Sequence, residues 1–442
     1  RTMPDFFGTR FADEGLRICA SIIVFVFLIP YTAGVYMGIS KLFEMGFGIP
    51  YEYCAVTMAL LTAVYVILGG YKATAINDFI QGIIMLIGIS VVIAVVLNSQ
   101  GGLVEAYNKM AAMVPNSDDI TQRGKELYAN FQPGDFASWF GPNPLSLFGV
   151  VMLTSLGTWG LPQMVGKFYS ITDESAIKRG TIISTFFAFI VAGGCYFLGG
   201  FGRLYADAGI KYNAATGKPL YDTIVPAMLS TLPNVIIAVV IVLVLSASMS
   251  TLSSLVLTSS STFTLDVIKP LSKKEMSEKK TVFIMRIFIV FFIAISAAIA
   301  VFKDANPSVT FIAQMMGVSW GALAGAFLAP FLYSLYSKKV TKTATAVCFV
   351  WGCAIAILQM VISLAGISIA GWGTVLAYIF KSSINSGVVA MVGGLVIVPI
   401  ISAFTRKPEA SNVDAAFAAY NRTIVVKAKD SLNYDAVEEV EK

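Results

Sequence analysis

The chain has 442 residues, of which 57% are hydrophobic and only 13% are charged, and its mean hydropathy is +0.77. Soluble domains carry roughly 45–50% apolar and about 25% charged residues, so this composition indicates a membrane protein. The chain contains no histidine. This excludes Ser-His-Asp and Cys-His nucleophile pairs, HExxH zinc sites and His-ligated haem. The net charge of +5 comes from basic residues in short segments between apolar runs, which is typical of membrane topology and not of nucleic-acid binding.

Apolar runs long enough to cross the ~30 Å hydrocarbon core recur along the sequence, and none alternates like the strands of a membrane barrel. We therefore predict an all-α polytopic membrane protein. Ten spans are expected at 17–41, 52–70, 74–97, 144–165, 180–201, 232–264, 282–302, 309–335, 344–365 and 385–404. A further apolar piece, 371–380, is too short to cross.

Lys and Arg are concentrated in the segments on the same side as the N-terminus. The positive-inside rule therefore predicts that both ends of this chain are cytoplasmic, with the spans in the plasma (cell inner) membrane. Two long external loops are expected at 98–143 and 202–231, and the first contains an amphipathic piece at 103–113. The transmembrane domain is predicted over 1–404. The tail 405–442 has few large apolar residues in periodic order, so we expect a solvated extension, disordered or weakly helical.

The five cysteines form no CxxC pair, and most lie within or at the edge of apolar stretches. We expect buried free thiols instead of disulfides or metal ligands.

Hydroxyl side chains crowd the sixth predicted span over 245–266, which is otherwise lipid-like. At 3.6 residues per turn several of them share one face of the helix. The residues on this face are Ala247, Ser250, Thr251, Ser254 and Thr258, with Ser253 beside it. Neutral oxygens of this kind suit a hard monovalent cation. The alternative is that the hydroxyls bond to backbone carbonyls one turn earlier and allow close helix packing.

Three other polar features lie at membrane depth. Asp78 is an ionisable residue one turn into the third span, which is costly unless it is paired or hydrated, although it could complement the positive helix N-terminus. The fourth span is interrupted by glycines and a proline within 155–163, a pattern that marks either a transport site or an ordinary proline kink. Gln314, in the eighth span, suits a substrate contact or an interhelical hydrogen bond.

Five segments, in order along the chain, resemble the sodium:solute symporter family, which includes sodium-coupled proline, pantothenate, monocarboxylate, sialic acid and sugar transporters. These segments are 2–11, 69–81, 159–170, 249–254 and 319–339. The resemblance implies a LeuT-like inverted-repeat fold in which the ten spans are core helices three to twelve. It also implies that the first two core helices, and an extra helix ahead of them, are missing from this chain.

The resemblance further implies the positions of two sodium sites. Ala247, through its carbonyl, and Ser250 and Thr251 match the main sodium site. Ser253, Ser254 and Asp78, with Ser250 shared, match a second sodium site found in some members.

The same comparison suggests substrate contacts at Ser155, Thr158, Trp159, Gln163 and Gln314. Gln314 matches a substrate-binding Gln of the sugar transporters. Ser155 and Thr158 fall where those transporters carry an Asn and a Tyr, so a sugar is disfavoured. The form Trp159-Gly-Leu-Pro-Gln163 is closer to the proline, pantothenate and monocarboxylate branches.

The expected function is sodium-coupled import of a small organic solute by alternating access, with sodium ions as coupling ions and no other cofactor. Rivals are proton coupling through Asp78, a sugar or sialic acid substrate, and a channel or sensor on the same fold. An intramembrane enzyme would need a second buried carboxylate, a Ser-Lys pair or a histidine at membrane depth, so we expect no enzyme. Expected partners are the solute, sodium and the lipid bilayer, with no nucleic acid; the sequence leaves oligomeric state open.

Overall fold

The computed structural model describes residues 2–113, 132–141, 144–169, 171, 174–208, 221–272, 275–305, 312–369 and 371–421. Within these ranges the chain is helical and has no strands. The described helices contain nine spans that are long and apolar enough to cross a membrane, two of them within one helix, and a pair of helices bent by 50° at 144–168 makes a tenth candidate span. The prediction of an all-α polytopic protein with about ten spans is confirmed.

The helices are α1 (Met3–Phe11), α2 (Glu14–Phe47), α3 (Tyr51–Ser99), α4 (Leu103–Ala112), α5 (Pro144–Ser155), α6 (Pro162–Phe168), α7 (Glu174–Gly200), α8 (Ile224–Ser230), α9 (Asn234–Phe263), α10 (Glu278–Ala305), α11 (Ile312–Tyr336), α12 (Lys342–Leu364), α13 (Thr374–Phe380), α14 (Ser383–Phe404) and α15 (Ala410–Phe417). A π-helix over Thr264–Ile268 continues α9, and a last α-helical turn, Lys269–Leu271, follows it. Short 3-10 helices lie at Asp135–Ala137, Gly157–Gly160, Phe201–Ala208, Tyr221–Thr223 and Ala418–Asn421.

Local sequence signals place the start of the fold. The Thr2 hydroxyl caps α1 by accepting a hydrogen bond from the Asp5 amide at 3.1 Å. The Asp13 carboxylate caps α2 in the same way, at 2.7 Å from the Leu16 amide. Between the two caps, Ala12 adopts a left-handed conformation with φ of 48°. The left-handed Ala12 ends α1 and turns the chain, and the two side-chain caps satisfy amides that would otherwise be unpaired at the start of each helix.

Helix α3 contains two spans, Tyr51–Gly69 and Ala73–Ser99, which we call its first and second arms. The Tyr51 hydroxyl donates to the carbonyl of Ala300, near the end of α10. The Ser99 hydroxyl bonds to Tyr205, which packs with Met228 close to the start of α9. Because α9 and α10 are consecutive spans that run in opposite directions, the start of α9 and the end of α10 lie on the same side of the bundle. The two contacts therefore lie on that side. The arms therefore run in opposite directions, as expected for spans at 52–70 and 74–97.

The largest apolar cluster joins α2, the first arm of α3, α9, α10 and α11. Aromatic rings fill its centre, with Phe25 4.7 Å from Phe263 and 5.6 Å from Phe292, measured between ring centroids. Such packing contributes dispersion and burial energy together. This cluster fixes α9, the hydroxyl-rich helix, against α2 and α3.

Glycines form a close seam between α11, α12 and α14. A Cβ atom on Gly352 would lie 2.3 Å from the Ala326 nitrogen, and one on Gly321 would lie 2.6 Å from the Gly387 Cα. These distances are too short for any side chain. Small residues at such positions allow backbones to approach closely in membranes, where packing drives helix association.

The first part of the tail is helical, which is one of the two forms expected, but it packs on the bundle and is not fully solvated. Helix α15 packs against the cytoplasmic end predicted for α11: Val413 is buried, Lys338 pairs with Asp414 at 2.7 Å, and the Tyr420 hydroxyl donates to the Leu335 carbonyl. Its few apolar residues are spaced to share one helical face, a pattern too short to stand out by periodicity. Residues 422–442 lie outside the described residues, and the domain limits 1–404 and 405–442 stay predictions.

The predicted external segments are described in part. The amphipathic piece forms α4, as expected, and 114–131 and 209–220 lie outside the described residues. All five cysteines are free, as expected; Cys54 and Cys348 are buried, whereas Cys19 and Cys195 are exposed on apolar spans.

Candidate functional site

A cavity of about 410 Å³ opens between α1, the second arm of α3, α6 and the C-terminal half of α9. Its lining consists of Thr2, Met3, Thr74, Ala75, Asp78, Pro162, Gln163, Gly166, Lys167, Ser253, Ser254, Leu257, Thr258, Ser261 and Thr262. Only two of these residues, Asp78 and Lys167, are ionisable. One wall is hydroxyl-rich α9, and the opposite walls carry the carboxylate, the ammonium and the Gln163 amide.

Asp78 lies on the second arm of α3 and shares the cavity with Ser253 and Ser254 of α9. Its Oδ1 atom is buried and has no hydrogen-bond partner among the described residues. A buried carboxylate oxygen without a partner is costly, and a bound cation would offset this cost. The structure thus brings together three residues that the sequence analysis assigned to one ion site.

The hydroxyls one turn earlier on α9 bond within their own helix. Ser250 and Thr251 both donate to the Ala247 carbonyl, at 3.0 Å and 2.9 Å, and Ser253 donates to the Ser250 carbonyl at 2.9 Å. This is the carbonyl back-bonding that we considered as the alternative. It does not use up the hydroxyls, because a donating hydroxyl retains oxygen lone pairs that accept a hydrogen bond or a cation. Ala247, Ser250 and Thr251 lie outside the lining of the cavity.

The helix break predicted at 155–163 is present. Helix α5 ends at Ser155, a 3-10 turn covers Gly157–Gly160, and α6 starts at Pro162, with 50° between the two helices. A Cβ atom on Gly160 would lie 2.9 Å from the Leu328 nitrogen, so the backbone of the 3-10 turn is in direct contact with the backbone of α11. The break is therefore more than a proline kink, since the glycine contact and the change of helix type accompany the proline.

Gln163 follows the break and is only 4% exposed. Both its amide nitrogen and its amide oxygen lack hydrogen-bond partners among the described residues, and the residue lines the cavity. An amide buried without partners loses its hydration without compensation. A ligand with both a donor and an acceptor would satisfy it.

The other predicted substrate residues lie outside the lining of this cavity. Thr158 donates its hydroxyl to the Ser155 carbonyl at 2.7 Å, and Trp159 is 58% exposed. The Gln314 carbonyl accepts a hydrogen bond from Ser383 at 2.8 Å. The structure thus joins Gln163 with the ion residues but leaves Ser155, Thr158, Trp159 and Gln314 apart from them.

Two residues at the site escaped the sequence reasoning. Lys167 lies just beyond the span predicted at 144–165, although it follows Gln163 by four residues and so lies one helical turn away on the same face. Tyr65, on the first arm of α3, donates its hydroxyl to the Met249 carbonyl on α9. No pattern in the sequence distinguishes Tyr65 from an ordinary core aromatic.

The model of the sodium:solute symporter family matches residues 1–352, most of the chain. The chain belongs to this family. It is 26% identical over 366 residues to the osmoregulated proline transporter OpuE of Bacillus subtilis, covering 82% of this chain and 69% of the relative. It is 27% identical over 418 residues to a sodium/proline symporter of Staphylococcus aureus, covering 92% of this chain and 74% of the relative.

Among solved structures, the fold is similar to that of a sodium-coupled sialic acid symporter in a substrate-bound outward-open state, for which a novel sodium site is described. The TM-score is 0.64 at 17% identity, covering 92% of this chain and 78% of that chain. The sequence predictions of a sodium:solute symporter with a LeuT-like fold are confirmed. The protein is a multi-pass, sodium-coupled solute symporter of a family of transporters, not enzymes.

Proposed function

We propose that this symporter imports proline or a similar small zwitterionic solute. The observation that carries this proposal is a single cavity holding a carboxylate, an ammonium and an unpartnered amide: Asp78, Lys167 and Gln163. The Lys167 ammonium matches the carboxylate of such a solute and the Gln163 amide offers it a donor and an acceptor, while the Asp78 carboxylate is left for a sodium ion. The names of the relatives, which are proline transporters, support the same substrate.

We assign two sodium ions as cargo, bound along α9. The Ala247 carbonyl with Ser250 and Thr251 would supply oxygens to the main site. Asp78, Ser253 and Ser254, with Ser250 shared, would supply the second. The shared cavity of Asp78, Ser253 and Ser254 supports the second site, and the converging hydroxyls of Ser250 and Thr251 support the main site.

Substrate contacts are assigned to Gln163 first, and then to Ser155, Thr158, Trp159 and Gln314. The buried amide of Gln163 supports its role most directly. Ser155, Thr158 and Trp159 lie at the break between α5 and α6. Gln314 lies on α11, the helix that packs against this break at Gly160. A change in the angle of the break would alter their distance from the cavity.

Sodium binds first in this scheme and favours the state that accepts the solute, after which helix rocking exposes both to the other side. The coupling is reciprocal, so sodium must strengthen solute binding by the same factor as the solute strengthens sodium binding.

We place the protein in the plasma membrane with both ends of this chain cytoplasmic. Labelling of a cysteine introduced at exposed Glu409 by an impermeant reagent would test the side of the C-terminal end.

The decisive experiment is solute uptake by the full-length protein in liposomes with and without an inward sodium gradient. The panel comprises proline, pantothenate, short monocarboxylates, sialic acid and glucose, and the variant is Thr251→Ala. Thr181→Ala is the matched control, because Thr181 also donates to a carbonyl four residues earlier at 2.9 Å but lies on exposed α7.

We expect sodium-dependent proline uptake that falls at least about tenfold in Thr251→Ala and is unchanged in Thr181→Ala, since a lost charge-assisted contact costs about 1.5–3 kcal/mol. Sodium-dependent uptake of another solute of the panel, without proline uptake, would show that proline is not the substrate. Uptake that follows a proton gradient and ignores sodium and Thr251 would contradict sodium coupling and favour proton coupling through Asp78.

A further inference from the structure

Tyr65 connects the first arm of α3 to the turn of α9 that carries the ion-site hydroxyls. Its ring packs against the main apolar cluster, and its hydroxyl donates to the Met249 carbonyl. The same hydroxyl lies close to Ser253. Buried polar contacts inside an apolar cluster are costly unless they are satisfied, so this bond selects one arrangement of α3 against α9.

The position of the Met249 carbonyl gives this contact a specific consequence. In an α-helix, the carbonyl of residue 249 also accepts the amide of residue 253, so it lies at the base of the turn that holds Ser250 and Ser253. A donor on a rigid aromatic ring fixes that carbonyl from the side of α3. The hydroxyls of Ser253 and Ser254, at the other end of the turn, line the cavity with Asp78.

The two arms of α3 thus act on α9 from different positions. Tyr65 of the first arm holds the backbone of the turn, while Asp78 of the second arm shares the cavity with its hydroxyls. Both arms belong to α3, so the Tyr65 contact and Asp78 are joined through one helical element.

We propose that Tyr65 is a positioning residue for the second sodium site: its hydroxyl holds the Met249 carbonyl so that Ser253 and Ser254 face Asp78. This inference rests on the proposed assignment of a sodium ion to Asp78, Ser253 and Ser254. Tyr65 itself does not contact the ion. Its removal weakens sodium binding through the orientation of the turn.

The test is radioactive sodium binding to the full-length purified protein at constant ionic strength, for wild type, Tyr65→Phe and Asp78→Asn. Tyr65→Phe keeps the ring and removes only the hydroxyl. We expect the sodium concentration for half-saturation to rise about 3- to 10-fold, the range for a lost net hydrogen bond, with the maximal amount of bound sodium unchanged. Tyr53→Phe is the matched control, since Tyr53 lies on the same arm and is 69% exposed.

A purely structural role for Tyr65 would lower the melting temperature or the maximal binding and leave the sodium half-saturation unchanged, and this result would overturn the inference. Asp78→Asn separates the two proposals. If Asp78→Asn reduces the number of bound sodium ions and Tyr65→Phe has no effect, only the positioning role is wrong. If Asp78→Asn leaves sodium binding intact, the second site is wrong and the role of Tyr65 falls with it.

Discussion

The Gln163 side chain lowers the stability of the folded protein but leaves its amide available to bind a ligand. Its amide is nearly fully buried, and neither its donor nor its acceptor atom has a partner in the described chain. An unsatisfied buried polar group costs about 1–3 kcal/mol. Function and stability therefore pull in opposite directions at this position.

We predict that Gln163→Met raises the melting temperature of the purified protein and weakens solute binding about tenfold or more. Methionine has a similar length and needs no hydrogen bonds, so the unliganded state gains stability while the solute loses its contact. Thermal unfolding without solute and equilibrium solute binding at saturating sodium measure the two effects. A variant that loses stability would show that the amide is satisfied in the free protein.

The sequence predicted which residues belong to the site where an unusual side chain and helical spacing point to the same face. The carboxylate of Asp78 belongs to a type that is rare at membrane depth, and helical spacing placed Ser253 and Ser254 on or beside one face. The sequence could not show that Tyr65 donates to the Met249 carbonyl, because a half-buried Tyr in an apolar span is equally consistent with core packing. Lys167 was missed since positive charges near span ends are usually topological.

At the level of helices, the sequence was most informative about spans and least informative about how they touch. Long apolar runs predict membrane helices from length alone, and the glycine and proline signals predicted the break between α5 and α6. Which helices share a close seam depends on tertiary packing. Gly352 looks like any other glycine in an apolar run, yet it lies directly against the backbone of α11.

We predict that Gly352→Ala strongly reduces the yield and the thermal stability of the folded protein. The new methyl group would lie 2.3 Å from the Ala326 nitrogen and 2.5 Å from the Gly325 carbonyl carbon, so one of the two helices must shift. Overpacking of this kind costs about 1–3 kcal/mol or more. Gly180→Ala is the matched control, because a Cβ atom there meets no atom within 4 Å, and alanine favours a helix. Equal yields and melting temperatures for the two variants would contradict the close seam.

On the scale of the whole molecule, an ion pair joins its beginning to its second half. Lys342, at the start of α12, contacts Asp13, the N-cap of α2. The hydrogen bond from Lys342 is the main cause that holds the pKa of Asp13 below its ordinary value. The folded state therefore favours the ionised carboxyl, and this contribution is present above the ordinary Asp pKa and is lost as the pH falls through the lowered one.

We predict that Asp13→Asn lowers the free energy of unfolding at pH 7 by about 0.3–1 kcal/mol, the range for a partly exposed pair. Asparagine also caps helices well, so the loss reports the charge and not the cap. The difference from wild type should shrink as the pH falls from 5 toward 3, measured by thermal unfolding in detergent. A difference that persists unchanged at pH 3 would exclude the ion pair as its source.

The glycine seam has a further consequence for the transport cycle. Where backbones touch with no side chains between them, sliding by even one residue would drive a neighbouring Cβ into the opposite helix. Helices α11, α12 and α14 must therefore translate or rotate as one rigid body. The motion that alternates access has to be absorbed elsewhere, at the break between α5 and α6, which bears on this body where Gly160 approaches Leu328 and Ala324.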